Sequence, residues 1–343
     1  MTAVKKINFK IVLVCSILIL GVAFPVFSQS PIPLDKLSST MDEFSQNMAN
    51  GLPFNAGMGL NWSYAGIGKF PHFGAGLSGG FTTINADSLS EMMKMFVPGM
   101  PAEFSKLGGF PIPGLMIEGR LGGFGIPFDL GVKVGYLPTK PKEFDSMDYF
   151  LLGFDVRFAL IQDKGVLPCL SIGVGYNRME GGLGKSIGDP IKIDYPLPGD
   201  TTGTVTMSPP ELGINWSVNT LDFKAQLSKS FGLMTPYFGL GACYGKAKAG
   251  YSLKTKITDD TNSDIEAAKD ILNEFGGIVS KNGSFSTEKE NNGWNYRAFA
   301  GFSINLWVLK IDLTGLFGIN KKDDISDLMA YNWGITLGTR VQF

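Results

Sequence analysis

Histidine and cysteine are scarce in this chain of 343 residues, and their scarcity limits its chemistry. His72 is the single histidine, and Ser78, a serine nearby in sequence, would lie about 20 Å away along an extended strand. A histidine base and its nucleophile must be within hydrogen-bond reach, and structural or catalytic zinc needs clustered Cys or His ligands. The sequence therefore predicts no catalytic residue, no metal site and no cofactor.

Charge is also low and balanced. Charged residues make up 18% of the chain, and the formal net charge is -1. A nucleic-acid-binding protein would show a basic footprint, which is missing here. We therefore expect no nucleic-acid partner.

Long apolar runs are confined to the N-terminus. Lys5, Lys6 and Lys10 precede an apolar run from Ile11 to Phe24, and Ser28 follows it at a small-residue position. This order predicts a secretory signal over 1-28, with an uncleaved anchor or a lipoprotein site at Cys15 as the alternatives. Beyond it, no segment approaches the roughly 20 apolar residues of a membrane helix, which excludes a helical bundle of the inner membrane.

Two cysteines, Cys169 and Cys243, remain in the predicted mature chain. A disulfide-stapled exported scaffold carries many more in a shorter chain. We expect both cysteines to remain unbridged.

Alternation of apolar and polar residues recurs along the chain. In the last thirteen residues, YNWGITLGTRVQF, apolar side chains fall on one face of an extended strand and polar or small ones on the other. Similar segments lie near 56–64, 115–121, 128–136, 154–160, 170–177, 221–227, 238–244, 298–306 and 309–317. Their length suits a tilted strand that crosses a bilayer.

One glycine-rich stretch, HFGAGLSGGF, has the G-x-G-x-x-G spacing of a dinucleotide-binding turn at Gly74, Gly76 and Gly79. That motif must open a helix directly after a strand. Here the following FTTIN continues the alternation instead. The stretch is therefore predicted to be a strand.

The links between these segments alternate in length. Tight links lie near 122–126, 162–166, 230–233 and 306–309, and long ones near 83-113, 180-210 and 250-292. Short turns at one end and long loops at the other are typical of outer-membrane barrels. The predicted fold is all-β: a transmembrane antiparallel β-barrel over 55-343, of about 12 strands, with 10 as the alternative.

These features together resemble bacterial outer-membrane β-barrel proteins. In that class a last strand ending in an aromatic residue is read by the insertion machinery, which makes Phe343, with Val341 and Leu337, the implied assembly signal. The resemblance implies the outer membrane of a diderm bacterium, with outer-membrane lipid and the barrel-assembly machinery as partners and an extracellular partner left unknown. NWSYAGIGKFPHFGAGLSGGFTTI also resembles small uncharacterised barrels of spirochaetes, which imply no functional site.

Charged residues occupy many positions predicted to face inward. They are Glu118, Arg120, Asp129, Lys133, Asp155, Arg157, Asp222, Lys224, Arg297, Lys310, Asp312 and Arg340. A midplane Arg or Lys facing lipid costs about 2–4 kcal/mol, so these side chains must line water or each other. Lining water would make a narrow passive pore for small polar solutes, which inward glycines favour; mutual pairing would make a closed barrel that serves as a structural or adhesive loop-display protein.

The segment 29-54 departs from the strand pattern. Leu34, Leu37, Met41, Phe44 and Met48 repeat at helical spacing. Such a helix either plugs the lumen, as the N-terminal hatches of long-chain fatty-acid channels do, or forms a periplasmic lead-in. The methionine-rich stretch from Ser88 to Met100 suggests a third alternative, a channel for hydrophobic molecules.

Overall fold

The computed structural model describes residues 34–84, 109–137, 145–186, 190–197, 201–209, 211–254, 257–259, 284–320 and 330–343. One helix, α1 (Leu34–Ala56), precedes the strands. The strands are β1 (His72–Ile84), β2 (Phe110–Gly122), β3 (Phe128–Tyr136), β4 (Ser146–Ile161), β5 (Cys169–Ser186), β6 (Ile191–Leu197), β7 (Thr201–Met207), β8 (Glu211–Ser228), β9 (Met234–Lys254), β10 (Ile257–Asp259), β11 (Ser284–Leu306), β12 (Leu309–Asn320) and β13 (Ala330–Gln342).

Ten of the strands close into an antiparallel barrel in the order β1-β13-β12-β11-β9-β8-β5-β4-β3-β2. The barrel closes where β1 pairs with β13, from Gly74 opposite Gln342 to Thr82 opposite Gly334. Strands β6, β7 and β10 form a separate three-stranded sheet. The alternative count of 10 strands is therefore confirmed, and the count of 12 is wrong. The stretch 56–64, predicted as a strand, pairs with no neighbouring strand.

The two ends of the barrel differ. At one, here called the turn end, short links join β2 to β3, β4 to β5, β8 to β9 and β11 to β12, as the sequence predicts. At the other, the loop end, β9 and β11 reach 21 and 23 residues, whereas β12 and β13 have only 12 and 13. One wall of the barrel is therefore taller than the other.

An apolar band surrounds the barrel. On β9 it extends from Met234 to Tyr244, and on β11 from Ile304 to Trp294, within the roughly 9–11 residues that a tilted strand needs to cross a bilayer. Large exposed side chains in this band include Leu130, Val132, Phe154, Phe158, Ile172, Val174, Leu221, Phe223, Phe238, Leu240, Phe317, Ile335 and Leu337. A sheet whose outer face is apolar and exposed all round is suited to lipid.

Above this band, the tall wall carries charges on its outer face. Lys246 pairs with Glu290 at 2.8 Å, and Lys248 pairs with Glu288 at 2.7 Å. Along the outer face toward the loop end, both pairs lie beyond Tyr244 and Trp294, the aromatic residues that end the band. The tall wall therefore projects beyond the apolar band at the loop end.

The helix α1 lies inside the barrel at the level of this projecting wall. Met41, Phe44, Met48 and Leu52 are buried in one cluster with inward-facing residues of the wall. Near the start of the helix, the Lys289 Nζ of β11 lies 2.9 Å from Asp42 Oδ2. The predicted helix over 29-54 is thus observed slightly later, as an amphipathic element that buries its apolar face against a sheet.

Two sequence-based predictions fall outside the described residues: the signal peptide over 1-28 and the methionine-rich stretch from Ser88 to Met100. Among the residues that are described, no helix is long and apolar enough to cross a membrane. Cys169 and Cys243 are both buried free thiols.

Candidate functional site in the barrel lumen

The chain passes through its own barrel. After α1, residues 57–71, here called the lumen segment, run from the loop end to the turn end, where β1 begins at His72. No charged residue occurs from Phe44 to Gly68, although the surrounding wall is rich in charge. A neutral chain therefore occupies a charged lumen.

Cationic side chains of the wall bind backbone carbonyls of this chain. Lys133 Nζ donates to Ala56 O at 2.8 Å and also to Met58 O. Leu60 O accepts from Arg120 Nη2 and Lys224 Nζ, each at 2.9 Å. Further along, Arg157 Nη1 donates to Tyr64 O at 2.8 Å. Because carbonyls are present at every residue, these bonds hold the backbone whatever the side chains are.

Glu118 binds the donors of the same chain. Its Oε1 accepts from Leu60 N at 3.0 Å and from Ser78 Oγ at 2.7 Å, and its Oε2 accepts from Trp62 Nε1 at 2.7 Å. A buried carboxylate needs such charge-assisted bonds to offset its desolvation. The lumen segment supplies two of the three donors.

Polar wall residues complete the contacts toward the turn end. Gln226 Nε2 donates to Trp62 O at 2.7 Å, and Ser228 Oγ accepts from Ala65 N at 2.8 Å. Gln162 and Ile67 exchange two bonds, at 3.2 and 2.9 Å. These bonds explain why 56–64 is not a strand: wall side chains take several of the backbone groups that a sheet partner would need.

The wall charges also pair with each other. The links are Arg120 to Asp129 and to Asp155 at 2.7 Å each, Arg157 to Asp129 at 2.6 Å, Lys224 to Asp155 at 2.6 Å, Arg297 to Asp222 at 2.7 Å, and Arg340 to Asp312. All these side chains are buried. The first five residues, from Arg120 to Lys224, thus form one connected network across β2, β3, β4 and β8, whereas Arg297–Asp222 and Arg340–Asp312 are separate pairs in the same layer. Removal of one member of the network leaves others short of partners.

Of the twelve charged residues predicted to face the lumen, only Lys310 lies apart from this layer. It is half-buried near the turn end, where its Nζ donates to Trp307 O at 2.9 Å. Asp312, two positions along the strand, is bound by Arg340 instead. Lys310 does not join the ionic layer, because a long side chain near a strand end reaches the rim.

Trp62 is a lumen residue that the sequence did not single out. Its ring lies 5.6 Å from the Arg120 guanidinium carbon and 4.9 Å from that of Arg340, in cation–π geometry. Beside it, a small polar cavity of about 30 Å³ extends along the inward glycines Gly76 and Gly338. The uncharged run from Phe44 to Gly68 was the signal that could have indicated a lumen-filling chain.

Toward the loop end the inner wall becomes apolar. Met116, Leu151 and Met179 are buried there, together with Tyr149 and Trp216. The ring of Trp216 covers Gly181, and the hydroxyl of Tyr149 would lie 3.3 Å from a Cβ at Gly114. This apolar part of the lumen, here called the apolar chamber, is filled by Met41, Phe44, Met48 and Leu52 of α1. It meets the charged layer near Met116 and Glu118, which are neighbours on one face of β2.

The turn end is closed by a clasp between two turns. Lys229 binds the Asp163 carboxylate, and Ser230 N donates to Asp163 Oδ2 at 3.1 Å. The hydrogen bond from Lys229 holds the pKa of Asp163 below its usual value. The clasp joins the β4–β5 turn to the β8–β9 turn next to the exit of the lumen segment.

The predicted assembly signal lies at this end too. Phe343 exchanges backbone hydrogen bonds with Phe73, and the two rings stack with centroids 5.2 Å apart. Val341 and Leu337 are exposed on the apolar outer face of β13. The geometry places all three beside the strand that closes the barrel.

Within the described part of the chain, no group of His, Cys, Asp and Glu side chains is arranged to hold a metal ion. His72 is buried, with its Nε2 3.8 Å from Asp129 Oδ2. It faces the ionic layer and lies at the turn-end edge of β1.

A closed antiparallel barrel with an apolar outer band and an ionic interior defines a β-barrel of the membrane-embedded class. Solved structures of bacterial outer-membrane barrels are similar to it. The outer-membrane protease OmpT of Escherichia coli is 9% identical, with 79% of this chain and 97% of that chain covered and a TM-score of 0.42. The β domain of the Bordetella autotransporter BrkA is 12% identical, with 81% and 100% covered and a TM-score of 0.27.

The toluene transporter TbuX of Ralstonia pickettii is 8% identical, with 87% of this chain and 93% of that chain covered and a TM-score of 0.24. These similarities concern the barrel fold alone. Curated protein sequences give no significant match. The resemblance to spirochaetal barrels remains a prediction.

Residues 107–321 match the model of a family of unknown function, DUF6588. The chain belongs to this family. The matched range covers the barrel from β2 to β12 and leaves out α1, the lumen segment, β1 and β13.

Proposed function

We propose that the protein is a channel of the outer membrane of a diderm bacterium, closed at rest by its own lumen segment and permeable to small polar solutes when that segment moves. The observation that carries this proposal is the passage of an uncharged chain through a charged lumen. A barrel that served only as an anchor would have no need for a separate, removable chain between its charged walls.

The membrane setting is supported by the outer surface of the barrel. The apolar band has the height that a bilayer requires, and charged ion pairs begin directly above it on β9 and β11. A predicted secretory signal over 1-28 fits the same destination. Outer-membrane lipid and the barrel-assembly machinery are the partners we propose.

The solute class follows from the wall of the polar layer. Charged side chains from β2, β3, β4, β8, β11, β12 and β13 face the interior at this level. Any solute that reaches the turn end through the lumen must pass them, and both signs of charge are present. Such a wall favours small polar solutes over apolar ones. The proposal includes no catalytic residue and no cofactor.

Conductance in planar bilayers tests the proposal. Ala65 N donates to Ser228 Oγ at 2.8 Å, so a disulfide between Ala65→Cys and Ser228→Cys, with Cys169 and Cys243 replaced by Ser, would fix the lumen segment itself to the wall. We expect silence in the oxidised protein, openings after reduction, and steady conductance in a variant lacking residues 30–68. The reduced protein is the matched control for the engineered disulfide.

Silence of the deletion variant, with its insertion shown by heat-modifiable migration on gels, would refute the channel. That result would favour the alternative, a closed barrel that displays its loops to an unknown extracellular partner. Equal conductance of the oxidised and reduced protein would refute the lumen segment as the gate.

The apolar chamber favours a second candidate, a channel for hydrophobic molecules. Met116, Tyr149, Leu151 and Met179 form a soft, adaptable wall at the loop end. A host that expresses the chain would then take up a labelled apolar aromatic compound faster than cells carrying an empty vector. Met116→Lys should abolish that gain while leaving ionic conductance in place; a gain that survives Met116→Lys would refute this route.

A further inference from the structure

Glu118 and Lys133 are directly opposite each other on β2 and β3 and both face the lumen. Opposite charges in such cross-strand positions usually pair. Among the described residues, neither takes part in an ion pair; Glu118 instead accepts from Leu60 N, and Lys133 donates to Ala56 O. The lumen segment therefore supplies partners that the two side chains would otherwise find in each other.

Gly59 passes between these two charges. A Cβ on Gly59 would lie 2.6 Å from Glu118 Oε1 and 3.3 Å from Lys133 Cδ, and it would also collide with Met116 Sδ. The residue has φ +84°, a conformation that glycine adopts without steric cost. Glycine therefore fits between the two side chains without strain or displacement, whereas any other residue would have to move them.

Lys133 depends on this arrangement more than the other cations that hold the segment. Arg120, Lys224 and Arg157 each keep an Asp partner on the wall if the segment leaves. Lys133 would lose its bonds to Ala56 O and Met58 O. Of the two carboxylates that act on it without forming an ion pair, Asp222 is already bound by Arg297, which leaves Glu118. Burying an unpaired charge is costly, so the open lumen needs another partner for it.

We propose that Glu118 and Lys133 are a latent ion pair that forms when the lumen segment moves aside, so that one pair of residues stabilises both states of the gate. With the segment in place, its backbone satisfies each charge separately. With the segment displaced, the two side chains pair across β2 and β3. This inference rests on the proposed gating function and assigns to these two residues the control of it.

Thiol labelling of the lumen segment tests the latent ion pair without any measurement of conductance. Ser63 is buried and close in size to cysteine. In the full mature chain with Ser63→Cys, and with Cys169 and Cys243 replaced by Ser, the labelling rate by a polyethylene glycol maleimide reports displacement of the segment. Glu118→Lys, Lys133→Glu and the double exchange are compared in lipid vesicles, with heat-modifiable migration as the check of folding.

Each single reversal removes contacts with the segment but also places two like charges opposite each other in the open lumen. The double exchange removes the same contacts but again places two opposite charges across from each other, so that an ion pair can form in the open lumen. We expect its labelling rate to exceed the product of the two single-variant increases by about threefold or more. A rate equal to or below that product would overturn the latent pair, whether or not the barrel conducts.

A second comparison leaves both charges unchanged. Gly59→Ala introduces a Cβ between them and should raise the labelling rate, whereas Gly68→Ala is the control in the same segment, because its Cβ would meet only His72, at 3.2 Å or more. Equal labelling rates for Gly59→Ala and Gly68→Ala would overturn the inference that Gly59 keeps Glu118 and Lys133 apart. Faster labelling of Gly59→Ala alone would support it.

Discussion

Arg120 is the residue whose removal should disturb the lumen most. Its side chain has no exposed surface, its Nη1 lies 2.7 Å from Asp129 Oδ1 and its Nη2 lies 2.7 Å from Asp155 Oδ2. The same Nη2 donates to Leu60 O, and the guanidinium lies over Trp62. Arg120 thus connects two wall carboxylates to the lumen segment, and we predict that Arg120→Met destabilises both the barrel and its closed state.

The size of the effect follows from what remains after the substitution. Removing one partner of a buried ion pair costs about 3–5 kcal/mol when the other charge is left alone. Here Asp129 keeps Arg157 at 2.6 Å, and Asp155 keeps Lys224 at 2.6 Å. Each carboxylate therefore keeps one cationic partner, so we expect the loss in free energy of unfolding to lie at the low end of this range, about 3 kcal/mol. That corresponds to a decrease of about 1 M or more in the urea midpoint.

Urea unfolding in lipid vesicles, followed by tryptophan fluorescence and by heat-modifiable migration, measures this midpoint. Arg178→Met is the matched control, because the Arg178 to Glu180 pair is solvent-exposed and such pairs contribute little. Arg120→Lys keeps the charge but loses the forked geometry, so its midpoint should fall between the two. If Arg120→Met shifted the midpoint no more than Arg178→Met, the ionic layer would not be a connected network.

Three further predictions concern other parts of the barrel. Phe343→Glu should reduce the amount of folded protein in the outer membrane while Phe343→Tyr does not, as judged by heat-modifiable migration of membrane fractions; equal amounts would refute the assembly signal. Gly80→Ala should reduce the free energy of unfolding by about 1–3 kcal/mol and so lower the urea midpoint, because its Cβ would meet the backbone of Ile335 and Thr336 where β1 pairs with β13. Gly119→Ala should leave the midpoint unchanged, because the nearest atom to its Cβ would be 3.7 Å away. Since the pKa of Asp163 is lowered, the clasp is present above the usual carboxyl pKa of 3.8 and is lost as pH falls through the lower folded value. The protection of Ser230 N against hydrogen exchange, taken relative to the intrinsic rate at each pH, should therefore fall in that acid range, and Asp163→Asn should remove this pH dependence.

The barrel wall was predictable from sequence because its physics is local. Period-two alternation fixes which side chains face lipid, and a midplane charge is too costly there, so Arg157 and Lys133 had to face inward. The tight turns followed from the same segments. These rules need no knowledge of distant contacts.

The lumen segment was not predictable in this way. Residues 56–64 alternate like a strand, but their backbone partners are side chains from distant strands, such as Lys224 and Arg157, which no local pattern shows. The same holds for Trp62, which the structure buries against two guanidinium groups. The stretch 56–64 accounts for one of the two strands by which the predicted count of 12 exceeds the 10 observed.

The threaded path limits how the gate can open. The lumen segment is joined to β1 at the turn end and to α1 at the loop end, so a chain crosses the lumen as long as the helix stays at the projecting wall. Withdrawal toward the turn end would draw α1 through the barrel, and a helix with its side chains is about 10–12 Å wide. Movement with the helix in place therefore shifts the segment sideways without removing it. The full chain should then open to a narrower pore than the variant lacking residues 30–68, and a latent pair such as Glu118 with Lys133 is suited to so small a displacement, because the two side chains need only the width of one backbone to meet.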